Sequence, residues 1–276
     1  MTEASGFLGR LEQSATSVRV TTPLGAMVWR RWGAESPPMP PVVLLHGGSG
    51  SWRHWARNIM PLSAVRTVWV PDLPGMGDSE TPKDPPNRPE AASAVIAALD
   101  ALLPAQSFDL AGFSYGGSIA AIVTELAPER VRSLTLVGTA GFGGNRDPQT
   151  VRVNGLTGAD RAAAHRANLL SLMIKSPARV DDLAIEIQEA NTARRRLRLS
   201  RDRGTPYLPG ALQAYRGPLR VVWGAHDQFS YGHIDDYAAR MRTMRPDVEV
   251  KVFEGAGHWV PYEDADAFNA FLLARL

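Results

Sequence analysis

Gly112-Phe113-Ser114-Tyr115-Gly116 places one serine between two glycines, directly after the apolar run 107–112 and directly before a small-residue stretch, 116–127, that stops at Pro128. A strand that reverses into a helix within a few residues leaves no space for Cβ atoms beside the turn. These residue types therefore fit a serine lifted onto a sharp strand-to-helix turn. A serine hydroxyl is a weak nucleophile near neutral pH, so the chemistry requires a base to take its proton and an acid to orient that base. Asp227 follows the apolar run 219–224, and His258 follows the run 248–253 within Gly257-His258-Trp259. The order Ser114, Asp227, His258 is the one expected when the nucleophile stands on such a turn. An oxyanion formed at an attacked carbonyl needs two backbone donors. Gly48, in His46-Gly47-Gly48-Ser49-Gly50, is the candidate for one, with Ser49 in reserve, and Tyr115 for the other.

The elements around these residues alternate in type. Residues 17–22 and 26–32 read as a hairpin around Pro23-Leu24-Gly25, and a proline-rich stretch, 36–41, leads into the strand before His46. Residues 51–63 read as a helix, 65–70 as a buried strand, 88–103 as a helix and 131–137 as another strand, the succession a parallel sheet requires. From Gly138 to about Gly210 no strand is evident, only helical stretches at 160–173 and 180–199. Each chemistry-bearing candidate falls just past the carboxyl end of a predicted strand, where open α/β sheets bind ligands. Taken singly, Asp227, His258 and Gly257 also fit ordinary loops. Their joint order and placement carry the functional reading.

His46-Gly47-Gly48, Asp72-Leu73-Pro74-Gly75-Met76-Gly77-Asp78-Ser79, the serine pentapeptide, Asp227 and Gly257-His258 together resemble the α/β-hydrolase superfamily over nearly the whole chain. The resemblance implies a mostly parallel eight-stranded sheet flanked by helices, with a helical cap inserted after the sixth strand. The expected division is a core of residues 1–139 and 211–276 and a cap of residues 140–210. The pattern is similar to the branch of esterases and meta-cleavage-product hydrolases, which cut a carbon–carbon bond in 2-hydroxy-6-oxo-dienoates. Two positions depart from the latter: Phe113 stands where they carry Asn, and Gln188 falls near the place of their cap arginine, with Arg194, Arg195 and Arg196 close by. Ester cleavage and carbon–carbon cleavage both stay open. A cofactor-independent oxygenase, or a small-ligand receptor without turnover, are the alternatives from other classes. Candidate substrate contacts are Ser49, Phe113, Phe142, Gln188, Arg194 and Trp259, with Trp52 and Tyr115 as further aromatic lining.

Composition narrows the classes. A chain of 276 residues, 44% hydrophobic, can bury one sizeable core and leaves little for a second independent domain. There is no cysteine, which excludes disulfides, thiolate nucleophiles and cysteine-held metals. No His-Glu-x-x-His or comparable cluster is present, so neither a metal nor a cofactor is expected. The net charge of +2 does not argue for nucleic acid, and the arginine-dense stretch 194–203 reads as the solvated face of a cap helix or as a grip on a substrate carboxylate. The first 17 residues lack a signal-peptide core and no apolar run is long enough to span a bilayer. The expectation is a cytoplasmic protein acting on a small molecule, away from membranes, with self-association left open.

Overall fold

Along the central strands, side chains point alternately to two layers, and both layers are buried. The computed structural model describes residues 2–34, 39–139, 141, 149–194, 196 and 205–276. The strands are β1 (Thr16–Thr22), β2 (Gly25–Trp32), β3 (Val42–Leu45), β4 (Val68–Pro71), β5 (Phe108–Phe113), β6 (Val131–Val137), β7 (Leu219–Gly224) and β8 (Glu249–Phe253). They form one eight-stranded sheet in the order β1-β2-β4-β3-β5-β6-β7-β8. Only the β1–β2 and β2–β4 pairs are antiparallel. The chain leaves β3 toward β4 on one side and returns to β5 on the other, so the strand order reverses at the β3–β5 pair, the place where such sheets open a crevice.

The helices are α1 (Glu3–Gln13), α2 (Ile59–Ser63), α3 (Arg88–Leu102), α4 (Tyr115–Leu126), α5 (Gly158–Leu172), α6 (Asp182–Ala193), α7 (Leu208–Ala214), α8 (Ile234–Met244), α9 (Val260–Glu263) and α10 (Ala265–Leu273). Val43, Leu45, Phe108, Leu110, Val221 and Trp223 face a layer built with α3, α4, α7 and α8. Val42, Leu44, Ala111, Phe113 and Val222 face the opposite layer, built with α1, α2, α9 and α10. Leu169 of α5 and Ala184 and Ile187 of α6 belong to that second cluster. These two helices, in the segment read as cap, pack into the same apolar layer as α1, α2, α9 and α10. α7, at the end of the segment read as cap, packs instead with α4 in the first layer.

Three local readings change. The polar N-terminal stretch forms α1: the Thr2 hydroxyl caps it by accepting from Ser5 N–H at 3.1 Å, and Ala4, Leu8 and Leu11 recur on one buried face. The helix expected over 51–63 is a short 3-10 turn at Trp52–Trp55 followed by α2, because Trp52 and Trp55 are both buried and bring the chain in sideways. The helix expected over 180–199 ends at Ala193. Among the described residues, no helix is long and apolar enough to cross a membrane.

A buried ion pair fastens the amino ends of the central strands. Arg66 reaches Asp109 and also donates to the carbonyls of Pro40 at 2.6 Å and Leu276 at 2.8 Å, while Ser133 Oγ donates to Asp109 at 2.7 Å. Both charged side chains are all but excluded from solvent. Asp109→Ala would strand the guanidinium, and a stability loss of about 3–5 kcal/mol is expected from urea unfolding; a loss under about 1 kcal/mol would show that Arg66 is satisfied by its carbonyls alone.

Candidate active site

Register decides which loops meet. Leu45 of β3 pairs with Gly112 of β5, and Phe113 pairs with Val137 of β6, so the loop opened by His46 lies beside Ser114. Gly138 N–H continues the pattern by donating to Val222 of β7 at 2.8 Å, and β7 pairs with β8 through Gly224 and Phe253. Asp227 and His258 follow those last two residues within a few positions. All four loops therefore open on one rim.

Ser114 stands at the junction of β5 and α4 with φ 52° and ψ −113°, a conformation that costs a non-glycine residue about 1–3 kcal/mol. Its N–H is held by Val137 O at 2.7 Å, and its carbonyl accepts from Gly117 N–H at 3.0 Å. The turn closes only because its neighbours are small. A Cβ on Gly112 would stand 2.6 Å from the Cα of Gly117, and one on Gly116 would stand 2.5 Å from the carbonyl oxygens of Leu45 and His46. Ser114 stays half-buried while the residues on either side are buried, so its hydroxyl is the polar group the turn offers outward. The positive end of α4 points at the same spot.

Two neutral imidazoles shape the adjoining loop. The His46 ring donates from Nδ1 to Gly47 O at 2.8 Å and accepts Leu73 N–H on Nε2 at 2.9 Å. His54 Nδ1 accepts Gly47 N–H at 3.2 Å. Between them they hold both ends of the Gly47 residue, and the turn that follows carries Gly48 and Ser49, both half-buried, with Ser49 at φ 56°. Burial pushes His46 down from its ordinary pKa and holds His54 well below it, with the neighbouring His46 and His258 rings adding to the shift of His54.

The His258 ring packs 5.0 Å from the Phe113 ring, next to Ser114 in sequence, and 4.5 Å from Phe229 between centroids. Nδ1 is 2.9 Å from Asp227 Oδ1, with both side chains buried. The approach is short but not aligned as a hydrogen bond: His258 Nδ1 and Asp227 Oδ2 both lack an aligned partner, while Asp227 Oδ1 accepts Phe229 N–H at 2.9 Å. Among the described residues no hydrogen bond joins the Ser114 hydroxyl to the imidazole. Such contacts commonly tighten when substrate arrives.

The other sequence candidates separate into groups. Phe113 is buried beneath Gly47, His54 and His258 and forms the floor of the site, not its open wall. Trp259 is fully buried, donates Nε1–H to His54 O at 2.9 Å and stacks on Tyr262, so it is a brace. Trp52 is likewise interior, between the guanidinium groups of Arg30 and Arg53. Tyr115 is buried beside Arg88. Gln188 is half-buried on α6. Arg194, read as a grip on a substrate carboxylate, lies 3.3 Å from Asp78, and Arg196 donates to the carbonyls of Gly77, at 2.9 Å, and Ser79. These two arginines tie the residues at the end of α6 to the loop after β4. Burial alone would raise Asp78, but the Arg30 hydrogen bond and charge, with Arg194 and Arg53, hold it below the usual carboxylate range. Phe142 lies outside the described residues.

Several residues of the rim carried no sequence signal. His54, Asn191, whose Oδ1 accepts Ser51 Oγ–H at 2.6 Å, and Glu263, which binds backbone groups near His258, act through contacts distant in sequence. Asp72 was legible only as part of a motif. It accepts Trp52 N–H at 2.9 Å, Asp78 N–H at 2.9 Å and Arg30 at 3.0 Å. Among the described residues no cluster of three His, Asp or Glu side chains has the makings of a metal site.

The sequence profile for the α/β hydrolase fold matches residues 40–265. A dihydrolipoyllysine-residue acetyltransferase component of the acetoin cleaving system from Pseudomonas putida is 33% identical over 90% of this chain, which spans 66% of that relative's length. A 2-hydroxymuconate semialdehyde hydrolase from a Pseudomonas species is 31% identical, over 84% of this chain and 85% of its own. Among solved structures, a carboxylesterase from Bacillus subtilis superimposes with a TM-score of 0.76 at 22% identity, covering 98% of this chain and 97% of its own, a likeness of fold.

Protonation of His46 or His54 would remove an acceptor from the loop. The unfolded chain takes up these protons near the ordinary value of 6.5, the folded chain only at lower pH. Their contribution to stability is therefore complete above that value and is lost as pH falls toward the depressed folded values. The urea midpoint is expected to fall between about pH 7 and about pH 5, with His54→Gln flattening the dependence. An unchanged slope in the variant would remove His54 from this account.

Proposed function

The chain belongs to the α/β-hydrolase fold family, and we propose that within it the protein is a serine hydrolase that cleaves a small hydrophobic carboxylic ester, or a related acyl carbon–carbon bond, through an acyl-enzyme. The observation that carries the reading is Ser114 on its positive-φ turn, half-buried, on the same rim as His258, whose ring packs on the preceding Phe113 and whose Nδ1 is 2.9 Å from the buried Asp227 carboxylate. Ser114 Oγ attacks the carbonyl carbon while His258 Nε2 takes its proton. Asp227 fixes the tautomer with the proton on Nδ1 and stabilises the imidazolium that forms. The oxyanion meets the N–H groups of Gly48 and Tyr115, each worth about 3 kcal/mol of transition-state stabilisation in sites of this kind. His258 then returns its proton to the leaving group. Water, deprotonated by the same imidazole, attacks the acyl-enzyme, and the proton goes back to Ser114 Oγ.

Two observations favour a neutral ester over a dienoate carboxylate. The residue before the nucleophile is the apolar, buried Phe113, and Arg194 and Arg196 are held by Asp78 and by turn carbonyls. The relative named 2-hydroxymuconate semialdehyde hydrolase keeps carbon–carbon cleavage as the second reading.

Purified protein is expected to release p-nitrophenol from the butyrate ester. Ser114→Ala and His258→Ala should each lower kcat by about 10⁴-fold or more, and Asp227→Asn by roughly 10³–10⁴-fold, with little change in KM. Full activity in the Ser114 variant would end the proposal. A ring-fission dienoate turned over with higher kcat/KM than any ester would shift it to carbon–carbon cleavage.

A further inference from the structure

Glu263 ends α9, five residues after His258, and is buried. Among the described residues no cationic side chain pairs with it. Its carboxylate is instead satisfied by three backbone donors: Oε2 accepts Gly257 N–H at 2.7 Å and Lys175 N–H at 3.0 Å, and Oε1 accepts Ser176 N–H at 2.7 Å. A buried carboxylate without such donors would be costly, and hydrogen bonds to an ionised acceptor are among the stronger ones. The donors come from two different parts of the molecule. Gly257 precedes His258, whereas Lys175 and Ser176 lie in the cap between α5 and α6.

The same two segments touch a second time. Trp259 N–H donates to Met173 O at 2.7 Å. His258 therefore sits between two residues whose N–H groups are both tied to the cap side, one through Glu263 and one directly. The approach is tight: a Cβ on Gly257 would stand 2.9 Å from Lys175 N. The imidazole of His258 already meets Asp227 at a short but unaligned 2.9 Å, so a small displacement of its backbone changes whether the base is oriented.

We propose, on the basis of the serine-hydrolase reading above, that Glu263 is a positioning residue coupling cap to base, its carboxylate clamping the cap segment 173–176 to the segment 257–259 that carries His258. A cap displaced by substrate or product then moves the imidazole relative to Asp227. The cap thereby acts on proton transfer as well as on access to the cleft.

Two substitutions test this from opposite sides. Glu263→Gln has one oxygen, which can serve Gly257 and Lys175 or serve Ser176, but not all three. Ser176→Pro removes a single cap donor and leaves Glu263 and the base segment untouched; φ at Ser176 is −85°, close to what proline adopts. With p-nitrophenyl butyrate, both variants are expected to lose roughly tenfold in kcat while KM stays within about twofold. In both, amide hydrogen exchange of 173–177 and 255–259 should rise together. An unchanged kcat in the folded Ser176→Pro protein, or exchange that rises in only one segment, would overturn the coupling. Retained esterase activity in Ser114→Ala would instead defeat the catalytic reading, and the exchange result would still decide whether Glu263 joins the two segments.

Discussion

A single backbone conformation organises this molecule: the positive-φ turn at Ser114, held between β5 and α4. A serine there is strained by about 1–3 kcal/mol, and it persists because the flanking geometry over-determines it. The pairing of β5 with β3 and β6 fixes the strand end, Val137 holds the serine N–H, and the absence of Cβ atoms at Gly112 and Gly116 lets strand, helix and the His46 loop close to contact. Shift the turn by one residue and the hydroxyl would face the sheet, the α4 amino terminus would point elsewhere, and the loops carrying Gly48, Asp227 and His258 would open on nothing.

The histidines around the turn are buried. Burial lowers the pKa of His46 and His54, which act as hydrogen-bonding struts, whereas His258 has a carboxylate, Asp227, 2.9 Å from its Nδ1. One residue type thus fills two roles on the same rim, separated by which groups surround each ring. Further out, Asp72 gathers Arg30 and the N–H groups of Trp52 and Asp78, and Arg30 continues to Glu12 of α1. Buried ion pairs of this kind contribute modestly to net stability because desolvation offsets much of the attraction. Their directional bonds nevertheless fix where the loop after β4 stands against the His46 loop. Helices α5 and α6 are fastened to this frame at and just past the end of α6 by Asn191, Arg194 and Arg196, and in the loop between the two helices by Glu263 and by Asp181 with Arg57 and Tyr262.

Much of this was legible in the residues alone, for identifiable reasons. Buried parallel strands are short apolar runs ended by glycine, so β5, β6 and β7 stood out, and the glycine spacing around Ser114 has few structural uses. What escaped depends on contacts between distant segments. α1 has a capping threonine and a buried leucine stripe, but its polar composition hid both. The stretch 51–63 has helical composition, yet two buried tryptophans shorten it to a 3-10 turn and α2. The arginines at 194 and 196 could be read as substrate-binding because nothing in their own neighbourhood reveals that Asp78 and the carbonyls of Gly77 and Ser79 lie across from them. Glu263 is one of three closely spaced acids, with Asp264 and Asp266, and only the fold brings three N–H groups to it alone.

Activation of the Ser114 hydroxyl by the His258 imidazole is the step on which the proposed chemistry turns. It is tested most directly by treating folded protein with a fluorophosphonate and locating the adduct by peptide mass spectrometry. One phosphonyl group per chain is expected, on Ser114, formed far more slowly when His258 is replaced by alanine. A folded protein that takes up no label, or takes it up on another residue, would contradict it.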